Sequence, residues 1–421
     1  MSEPEIISMG CRLNIAESET VRQSLKRSNV DTSNLIIVNS CAVTNEAVRQ
    51  TRQAIRKAKT KNPAKNIVVT GCAAQIDPRM FEQMPEADAV VGNFDKYDPA
   101  NFKFGSDTNR PDIRVSDIMA IKETAPHMVS AFTERSRAFV EIQNGCDHRC
   151  TFCIIPYGRG NSRSVPAGQI VDQVKALVGK GFNEVVLTGV DVTSYGPDLP
   201  GKPSLGMLLE RILKNVPDLP RLRLSSLDGI EIDNRMFDLL TTEQRLMPHI
   251  HLSLQSGDDM ILKRMKRRHS RDQAIDLVAR LKSARPEIAI GADIIAGFPT
   301  ETDNMFAQSI DIIDQCEIVH GHIFPYSPRE GTPAARMPQV DSKVIKERAK
   351  LLRDKISTRK SKWLSTLVGS EQSVLSETSG KSGYAENFAR VELDGPVDEG
   401  KIVRASIIAS DSGKLHAKVL A

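Results

Sequence analysis

The sequence predicts an α/β protein of three domains: an N-terminal open parallel α/β sheet, a central partial (β/α)6 barrel and a small C-terminal β-barrel. Three observations lead to this prediction. The 421 residues are enough for about three domains. Short apolar runs alternate with helix-length stretches through most of the chain, as they do in βαβ units. The end of the chain consists of short strand-like pieces separated by glycines, as in a small barrel.

Three cysteines hold equivalent positions in the predicted N-terminal domain, residues 1–125. Each follows an apolar run that is typical of a strand, and helical stretches such as Asn45–Thr60 come next. The runs are Ile6–Ser8, Leu35–Val38 and Ile67–Thr70, and the cysteines are Cys11, Cys41 and Cys72. Because the carboxyl ends of parallel strands meet at one sheet edge, where open α/β sheets bind ligands, we expect the three thiols to lie together. Three buried structural cysteines are the alternative.

Strands and helices alternate again in the predicted central domain, residues 132–365, after a polar connection over Tyr97–Arg137. The predicted strands are Phe139–Gln143, Glu184–Thr188, Arg221–Ser225, His249–Leu254, Ile288–Ile295 and Val319–Phe324. Six βα units in about 200 residues indicate an incomplete (β/α) barrel, because a full barrel has eight strands. A second open sheet is the alternative topology.

A basic helix, Ser342–Leu364, leads into the predicted C-terminal domain, residues 366–421. Four short strands are predicted there: Gln372–Ser376, Ala389–Leu393, Ile402–Ile408 and Leu415–Leu420. Glycines lie between these strands, which is typical of a small β-barrel with tight turns.

A second group of cysteines, Cys146, Cys150 and Cys153, lies in GCDHRCTFC directly after the first predicted barrel strand. That position is the catalytic face of a (β/α) barrel. Three thiolates within eight residues can hold three irons of a cubane cluster and leave the fourth iron open to a chelating cofactor. Zinc is the competing metal, and it needs His148 or a distant residue as its fourth ligand.

The CxxxCxxC spacing, with an aromatic residue before the last cysteine, resembles the radical SAM superfamily. The resemblance implies that S-adenosylmethionine binds the open iron of a 4Fe-4S cluster and that Phe152 packs near its adenine. LTGVDVTSYG (187–196) and LSLQSGDD (252–259) follow barrel strands where the superfamily holds its cofactor. The other candidate contacts are Gly189, for close approach of the backbone, Asp191, for the ammonium group, and Gln255 and Ser256, for polar contacts.

The segments SMGCRLN, VNSCAVTNEAVRQ and VTGCAAQ around the first three cysteines resemble the methylthiotransferases of this superfamily. The resemblance implies a second 4Fe-4S cluster on Cys11, Cys41 and Cys72. It also implies the reaction, in which a 5′-deoxyadenosyl radical abstracts hydrogen from the substrate. A second S-adenosylmethionine methylates a sulfur of the second cluster, and the substrate radical takes up the resulting methylthio group. GYAENFARV (383–391) resembles a TRAM domain, a small RNA-binding β-barrel.

Three substrate classes occur in the family that the chain resembles: isopentenyladenosine in tRNA, threonylcarbamoyladenosine in tRNA and an aspartate of a ribosomal protein. CAVTNEAVRQTRQ and LTGVDVTSYG look most like the threonylcarbamoyladenosine branch. We therefore expect methylthiolation at C2 of N6-threonylcarbamoyladenosine next to the tRNA anticodon, at position 37. A base in a single-stranded loop can be splayed into a pocket, which suits such an enzyme.

Basic residues are concentrated in three stretches, although the net charge is only +4. The third stretch is the helix before the C-terminal domain, where Lys355, Arg359 and Lys360 are candidate phosphate contacts. From Leu367 to Ala421, by contrast, six Lys/Arg face eight Asp/Glu, a net charge of −2. This acidity keeps the ribosomal-protein substrate open as an alternative.

The composition also excludes classes of protein. No run of 18 apolar residues is present, so a membrane-spanning helix is not expected, and the N-terminal residues do not resemble a signal peptide. We expect a cytoplasmic enzyme with tRNA as its substrate. Its other expected partners are a flavodoxin- or ferredoxin-type electron donor and an unknown sulfur donor. Cys316, on an apolar helix face, is expected in the core. A non-catalytic RNA-binding protein with two zinc sites is the alternative from a different class.

Overall fold

The computed structural model describes residues 4–28, 30–103, 112–124, 136–377 and 379–420. Its helices are α1 (Arg12–Arg27), α2 (Asn45–Lys61), α3 (Cys72–Ile76), α4 (Pro78–Glu82), α5 (Ile155–Arg159), α6 (Ala167–Gly179), α7 (Leu205–Asn215), α8 (Asn234–Thr242), α9 (Asp259–Arg264), α10 (Arg271–Ala284), α11 (Asp303–Gln315) and α12 (Ser342–Thr366). Its strands are β1 (Glu5–Ser8), β2 (Leu35–Ser40), β3 (Asn66–Gly71), β4 (Ala89–Val91), β5 (Asp112–Arg114), β6 (Ala138–Asn144), β7 (Arg163–Ser164), β8 (Glu184–Gly189), β9 (Arg221–Leu224), β10 (His249–Gln255), β11 (Ala289–Ala296), β12 (Ile318–Pro325), β13 (Glu371–Ser376), β14 (Ser382–Ala385), β15 (Arg390–Leu393), β16 (Ile402–Ser410) and β17 (Leu415–Val419). None of the described helices has the length and hydropathy that a membrane span needs.

The N-terminal strands form one parallel sheet in the order β1-β2-β3-β4-β5. The two faces of β2 pack into different apolar clusters, with Ile36 and Val38 in one and Ile37 in the other. A parallel strand that is buried on both faces needs such a continuous apolar run, which is why the sequence predicts it. The sequence does not predict β4 and β5, because three residues are too few to show a period. β5 lies inside the stretch that was expected to be a connection, so the sheet is larger than the sequence indicates.

Six parallel strands form the central domain in chain order: β6, β8, β9, β10, β11 and β12. The bridges Leu222–Leu246 and Leu227–Leu252 join the β9 edge to the β10 edge. The observed strands begin and end within one residue of the predicted ones. The prediction of an incomplete (β/α)6 barrel is confirmed. Cys316 is fully buried in the core of this barrel, as expected.

The inner face of the barrel is polar. In β9, Leu222 and Leu224 belong to the apolar core under the helices, while Arg221 and Arg223 alternate with them and point inward. We call the carboxyl ends of the strands the rim and their amino ends the floor. The seven residues of β10, from the floor to Gln255 at the rim, span roughly 20 Å, which sets the depth of the barrel.

The N-terminal domain packs directly on the barrel. Ala16 of α1 belongs to the core cluster of the central domain. Helices α3 and α5 also touch, and a Cβ at Gly158 would lie 3.3 Å from the Cβ of Cys72. The side chain of Asn93 donates to the Gly158 carbonyl oxygen at 2.8 Å. A glycine at position 158 therefore lets the segment that follows the second cysteine group come close to a cysteine of the first.

The C-terminal strands form a closed barrel in the order β13-β14-β15-β17-β16, which confirms the predicted small barrel. The sequence predicts four of these strands but not β14. In β14, Gly383 interrupts the pattern because a Cβ there would lie 2.1 Å from the Leu375 carbonyl oxygen. Phe388 follows β14 with a φ of 67°, and its ring stacks on His249 at a centroid distance of 4.8 Å. The small barrel thus closes the floor of the large one.

Candidate cluster sites

Cys11, Cys41 and Cys72, which we call the N-terminal triad, lie at the carboxyl edge of the N-terminal sheet. Cys41 follows β2, Cys72 follows β3 as the first residue of α3, and Cys11 caps α1 after β1. Cys41 and Cys72 are buried, and Cys11 is exposed. The loops are tight, since a Cβ at Gly10, whose φ is 86°, would lie 2.7 Å from the Cys41 Sγ atom. The spacing in the sequence thus predicts the position of all three thiols.

A buried asparagine, Asn14, ties these loops together. Its side-chain amide donates to the carbonyl oxygens of Met9 at 2.7 Å and of Ser40 at 3.1 Å. The Ser40 hydroxyl accepts hydrogen bonds of 3.2 Å from two amides in the first turn of α3. Because Asn14 and Ser40 are both buried, water does not compete for these hydrogen bonds. The three cysteine loops are therefore held as one unit.

An arginine of the central domain, Arg159 at the end of α5, reaches the N-terminal triad. Its Nε atom donates to the Cys72 Sγ atom at 3.1 Å, and its guanidinium also pairs with Glu17 at 2.7 Å. Lys96 pairs with the same carboxylate at 2.8 Å. Arg159, Glu17 and Lys96 are at most 2% exposed. The Arg159 guanidinium therefore places a buried positive charge next to the Cys72 sulfur.

Burial keeps the metal-free thiols of Cys41 and Cys72 protonated. It raises the pKa of Cys41 to about 11, with a further contribution from Cys72. It also raises the pKa of Cys72, although the Arg159 charge opposes this effect. Metal binding must displace these protons, and the guanidinium favours the resulting thiolate.

Cys146, Cys150 and Cys153, which we call the central triad, lie on the loop between β6 and α5 at the barrel rim. The Cys146 Sγ atom is 3.9 Å from the Asp191 carboxylate, and the Arg267 guanidinium is 3.8 Å from the Cys150 Sγ atom. Burial raises the pKa values of Cys146 and Cys153 to about 12. Groups of both signs therefore flank this triad.

Asp191 lies next to Cys146, after the end of β8. Its carboxylate pairs with His148 at 3.0 Å and accepts a hydrogen bond from the Ser194 hydroxyl at 3.0 Å. Burial opposes ionisation of the Asp191 carboxyl, but the hydrogen bonds from His148 and Ser194 outweigh burial and lower its pKa. An ammonium group placed beside Cys146 would therefore meet an anionic carboxylate.

Two other expected cofactor contacts lie near this loop. Phe152 is partly buried and packs edge-on against Phe298 at a ring-centroid distance of 6.4 Å. Gly189 ends β8, and a Cβ there would lie 2.6 Å from the Gln143 carbonyl oxygen. Close packing against β6 is thus enough to explain why residue 189 is a glycine.

Gln255 and Ser256 end β10 in different environments. Gln255 is half-buried, with a φ of 68°, at the point where the ladder to β11 shifts register. Ser256 is fully buried, and its hydroxyl lies 3.4 Å from that of Ser309 and accepts from the Asp258 amide at 3.2 Å. Of the two, Gln255 has the side chain that can reach a ligand.

The three expected phosphate contacts on α12 lie away from the rim, and two of them are ion-paired. Lys355 and Arg359 both pair with Asp314 of α11, and the Arg359–Asp314 distance is 3.1 Å. Burial and the neighbouring Arg390 lower the pKa of Lys360. These contacts hold α12 against α11 and offset part of the charge that would attract RNA.

Two family models match the chain. The Radical SAM superfamily model covers residues 140–313, with the central triad, and the model of Uncharacterized protein family UPF0004 covers residues 4–92, with the N-terminal triad. Threonylcarbamoyladenosine tRNA methylthiotransferase MtaB of Rickettsia prowazekii is 52% identical to the chain, covering 97% of this chain and 96% of its own length. The chain belongs to the radical SAM methylthiotransferase family.

Similarity to other members and to solved structures is lower. MtaB of Bacillus subtilis is 34% identical and covers 95% of this chain and 92% of its own length. The tRNA-2-methylthio-N(6)-dimethylallyladenosine synthase of Erythrobacter litoralis is 31% identical and covers 98% of this chain and 96% of its own length. The radical S-adenosylmethionine methyltransferase TsrM of Kitasatospora setae has a similar fold, with a TM-score of 0.52, 15% identity and coverage of 76% of this chain and 68% of that one.

Methylthiotransferases of this family use S-adenosylmethionine and 4Fe-4S clusters, and the thiol geometry fits iron–sulfur clusters better than single zinc ions. In the described part of the chain, the groups whose ligand atoms all lie within 4.8 Å are His251, Asp293 and His322, and His148, Asp191 and Glu231. In neither cysteine triad do the three Sγ atoms all lie within this distance of one another. Thiolates on one zinc ion lie about 3.8 Å apart, given the Zn–S bond length. In a cubane cluster, each thiolate binds a different iron, so the three sulfur atoms lie farther apart than they would on a single ion.

The sequence of this methylthiotransferase does not reveal which cations lie beside the cysteines. Arg159 is 87 residues from Cys72 and Arg267 is 117 residues from Cys150. Charge balance around a thiolate cluster leads one to expect a cation, but the chain has 57 lysines and arginines. The one available signal is that Arg159 closely follows the CxxxCxxC motif.

Proposed function

We propose that this methylthiotransferase adds a methylthio group to C2 of N6-threonylcarbamoyladenosine at position 37 of tRNA. The relative named for that substrate is 52% identical, whereas the relative named for dimethylallyladenosine is 31% identical. The observation that carries the proposal is the proximity of the two triads. One segment, residues 146–159, contains the central triad at its start and, at its end, Arg159, which contacts Cys72. A base held near this segment is within reach of both triads.

In this proposal, the bound groups would supply one-electron cleavage of S-adenosylmethionine at the central triad and, at the N-terminal triad, a sulfur that receives its methyl group from a second S-adenosylmethionine. The side chains position the reactants. Asp191 receives the amino group of S-adenosylmethionine, Phe152 packs near its adenine, and Gln255 makes a polar contact at the rim. Arg159 holds α5 against α3 and so keeps the two triads at a constant separation.

An exposed basic stripe on the first half of α12 is our candidate surface for tRNA phosphates. It consists of Lys343, Lys346, Lys350 and Arg353, which we call the α12 stripe. These residues follow helical spacing, and none of them is paired with a carboxylate in the described part of the chain. Arg348, between them, pairs with Glu301 just beyond β11 at 2.8 Å, so this half of α12 lies near the rim. The ion-paired Lys355 and Arg359, with Lys360, provide the comparison set.

The other partners follow from the chemistry. Cleavage of S-adenosylmethionine consumes electrons, so we propose a flavodoxin- or ferredoxin-type donor. The sulfur donor is a separate protein or small molecule that restores the N-terminal cluster after each turnover. We place the reaction in the cytoplasm, where its tRNA substrate is found.

Nucleoside mass spectrometry of total tRNA from a deletion strain tests the substrate. We expect 2-methylthio-N6-threonylcarbamoyladenosine to disappear, its unthiolated precursor to accumulate, and the wild-type gene to restore the product. The substrate assignment is wrong if this nucleoside persists while a methylthio group is lost from isopentenyladenosine or from a ribosomal-protein aspartate.

A further inference from the structure

Arg12 connects the N-terminal triad with the barrel floor. It is the first residue of α1 and directly follows Cys11. Its guanidinium carbon lies 5.6 Å from the centroid of the Phe388 ring, which closes the floor. An arginine side chain reaches roughly 7 Å from its Cα, by standard bond lengths. The charged group therefore lies both near the proposed sulfur site and inside the barrel.

The other arginines at the floor have carboxylate partners. Arg223 pairs with Glu184 at 3.0 Å, and Arg221 lies 3.8 Å from the same carboxylate. Arg137 pairs with Glu377 at 3.1 Å. Within the part of the chain that the structure describes, Arg12 has neither a hydrogen bond nor an ion pair. It contacts the face of the Phe388 ring instead.

The environment of Arg12 favours the arrival of an anion. The guanidinium carbons of Arg137 and Arg223 lie over the same Phe388 ring, at 5.5 and 4.9 Å from its centroid, so Arg12 adds a third cation to this part of the floor. The histidines at the floor add no charge, because burial lowers the pKa of His249 and lowers that of His320 to about 3. A half-buried guanidinium without a carboxylate partner gains most from a charge-assisted hydrogen bond to an anionic ligand.

We propose that Arg12 binds the carboxylate of the threonylcarbamoyl group and so selects this adenosine over adenosines that carry a neutral N6 substituent. This inference rests on the proposed function and names the group that reads its substrate. Adenosine and isopentenyladenosine have no charge on the base, whereas the threonyl group has a carboxylate. The barrel, roughly 20 Å deep along β10, has room for the base near the rim and for its N6 group below.

The test measures binding of one tRNA in three forms to the anaerobically reconstituted enzyme. The forms carry threonylcarbamoyladenosine, its methylamide, which lacks the charge, or unmodified adenosine at position 37. We expect the wild type to bind the first form about tenfold to a hundredfold more tightly than the other two, as for a hydrogen-bonded charge pair. Arg12→Gln should bind all three forms equally, and Arg12→Lys should keep part of the preference.

Arg27→Gln is the matched control, because it removes one exposed arginine from the last turn of the same helix. It should leave the preference unchanged, and the iron content of all variants should equal that of the wild type. A preference that survives in Arg12→Gln overturns the role of Arg12. Equal weakening of all three forms by Arg12→Gln would identify a phosphate contact and overturn it as well. If the wild type has no preference, the proposed substrate itself is wrong.

Discussion

The two cysteine triads are assembled in different ways. The central triad lies within eight residues of one loop, so that a single strand end brings its thiols together. The N-terminal triad comes from three strands and forms only when β1, β2 and β3 pair in register. The central triad has Asp191 on one side and Arg267 on the other, whereas the charged side chain in contact with Cys72 of the N-terminal triad is Arg159.

This difference matches a difference in task. In the proposed function, the loop at the barrel rim holds a cofactor that is replaced at every turnover, and Asp191 offers a carboxylate to its amino group. In the same proposal, the N-terminal triad holds its sulfur at a constant distance from the substrate, and the buried pairs of Arg159 with Glu17 and Cys72 connect this triad to the barrel. The following predictions test whether the two triads have separate chemical roles.

The largest effects are expected from removing either triad. Replacing Cys146, Cys150 and Cys153 by alanine should abolish both S-adenosylmethionine cleavage and methylthiolation. Replacing Cys11, Cys41 and Cys72 by alanine should preserve cleavage and reduce the methylthiolated product to background. Chromatography with mass spectrometry of 5′-deoxyadenosine and of the modified nucleoside measures both. Methylthiolated product from either triple variant contradicts the assigned roles.

A smaller but selective effect is expected from Arg159→Met. Removing one partner of a buried ion pair costs about 3–5 kcal/mol in the free energy of unfolding. Loss of the cation and of the N–H···S hydrogen bond should also lower the reduction potential of the N-terminal cluster, because cluster potentials depend on nearby charge and on hydrogen bonds to sulfur. Arg159→Lys should restore part of that potential.

Redox titration followed by electron paramagnetic resonance measures this shift in a chain without the central triad, where a single cluster contributes to the signal. Arg149→Met is the control, because it removes an exposed arginine that is bonded to the Cys146 carbonyl oxygen and to Asn161. The N-terminal potential should not change in the control. If Arg159→Met loses stability but the reduction potential of the N-terminal cluster does not change, the role of Arg159 is only that of a structural contact between domains.

The smallest effect is expected at the tRNA surface. Changing the α12 stripe to glutamate should weaken tRNA binding and decrease the slope of log affinity against log salt by about 3, since each lost phosphate contact accounts for about 0.7–0.9. Charge reversal at Lys355, Arg359 and Lys360 should change this slope less, because Asp314 already pairs with Lys355 and Arg359. A slope in the α12 stripe variant equal to that of the wild type would show that the α12 stripe does not contact phosphate.

The sequence predicts those parts of the fold and site that depend on local pattern. The barrel strands are predicted within one residue because each is a short stretch of continuous or alternating apolar residues bounded by turns. Cys41 and Cys72 are correctly placed because each follows a strand of one parallel sheet. The short strands β4, β5 and β14 are not predicted, because a few residues, or a strand interrupted by Gly383, do not show a period.

The remaining features depend on contacts between distant segments. The pairing of Arg359 with Asp314 joins two helices, so the sequence shows the cation but not the carboxylate that offsets it. The burial of Ser256 under α11 is equally invisible in a polar segment that follows a strand. In the sequence, Arg12 does not differ from the many other basic residues. Only the structure shows that it lies at the floor of the barrel, without a carboxylate partner among the described residues.

Metal analysis of the anaerobically purified chain, together with its two triple variants, tests the central claim that this protein builds two separate cluster sites. We expect about eight irons per wild-type chain, as two cubanes require, and about four in each triple variant. Zinc in place of iron contradicts the account. So does a wild-type chain with only four irons, all of which disappear in one triple variant while the other variant retains them.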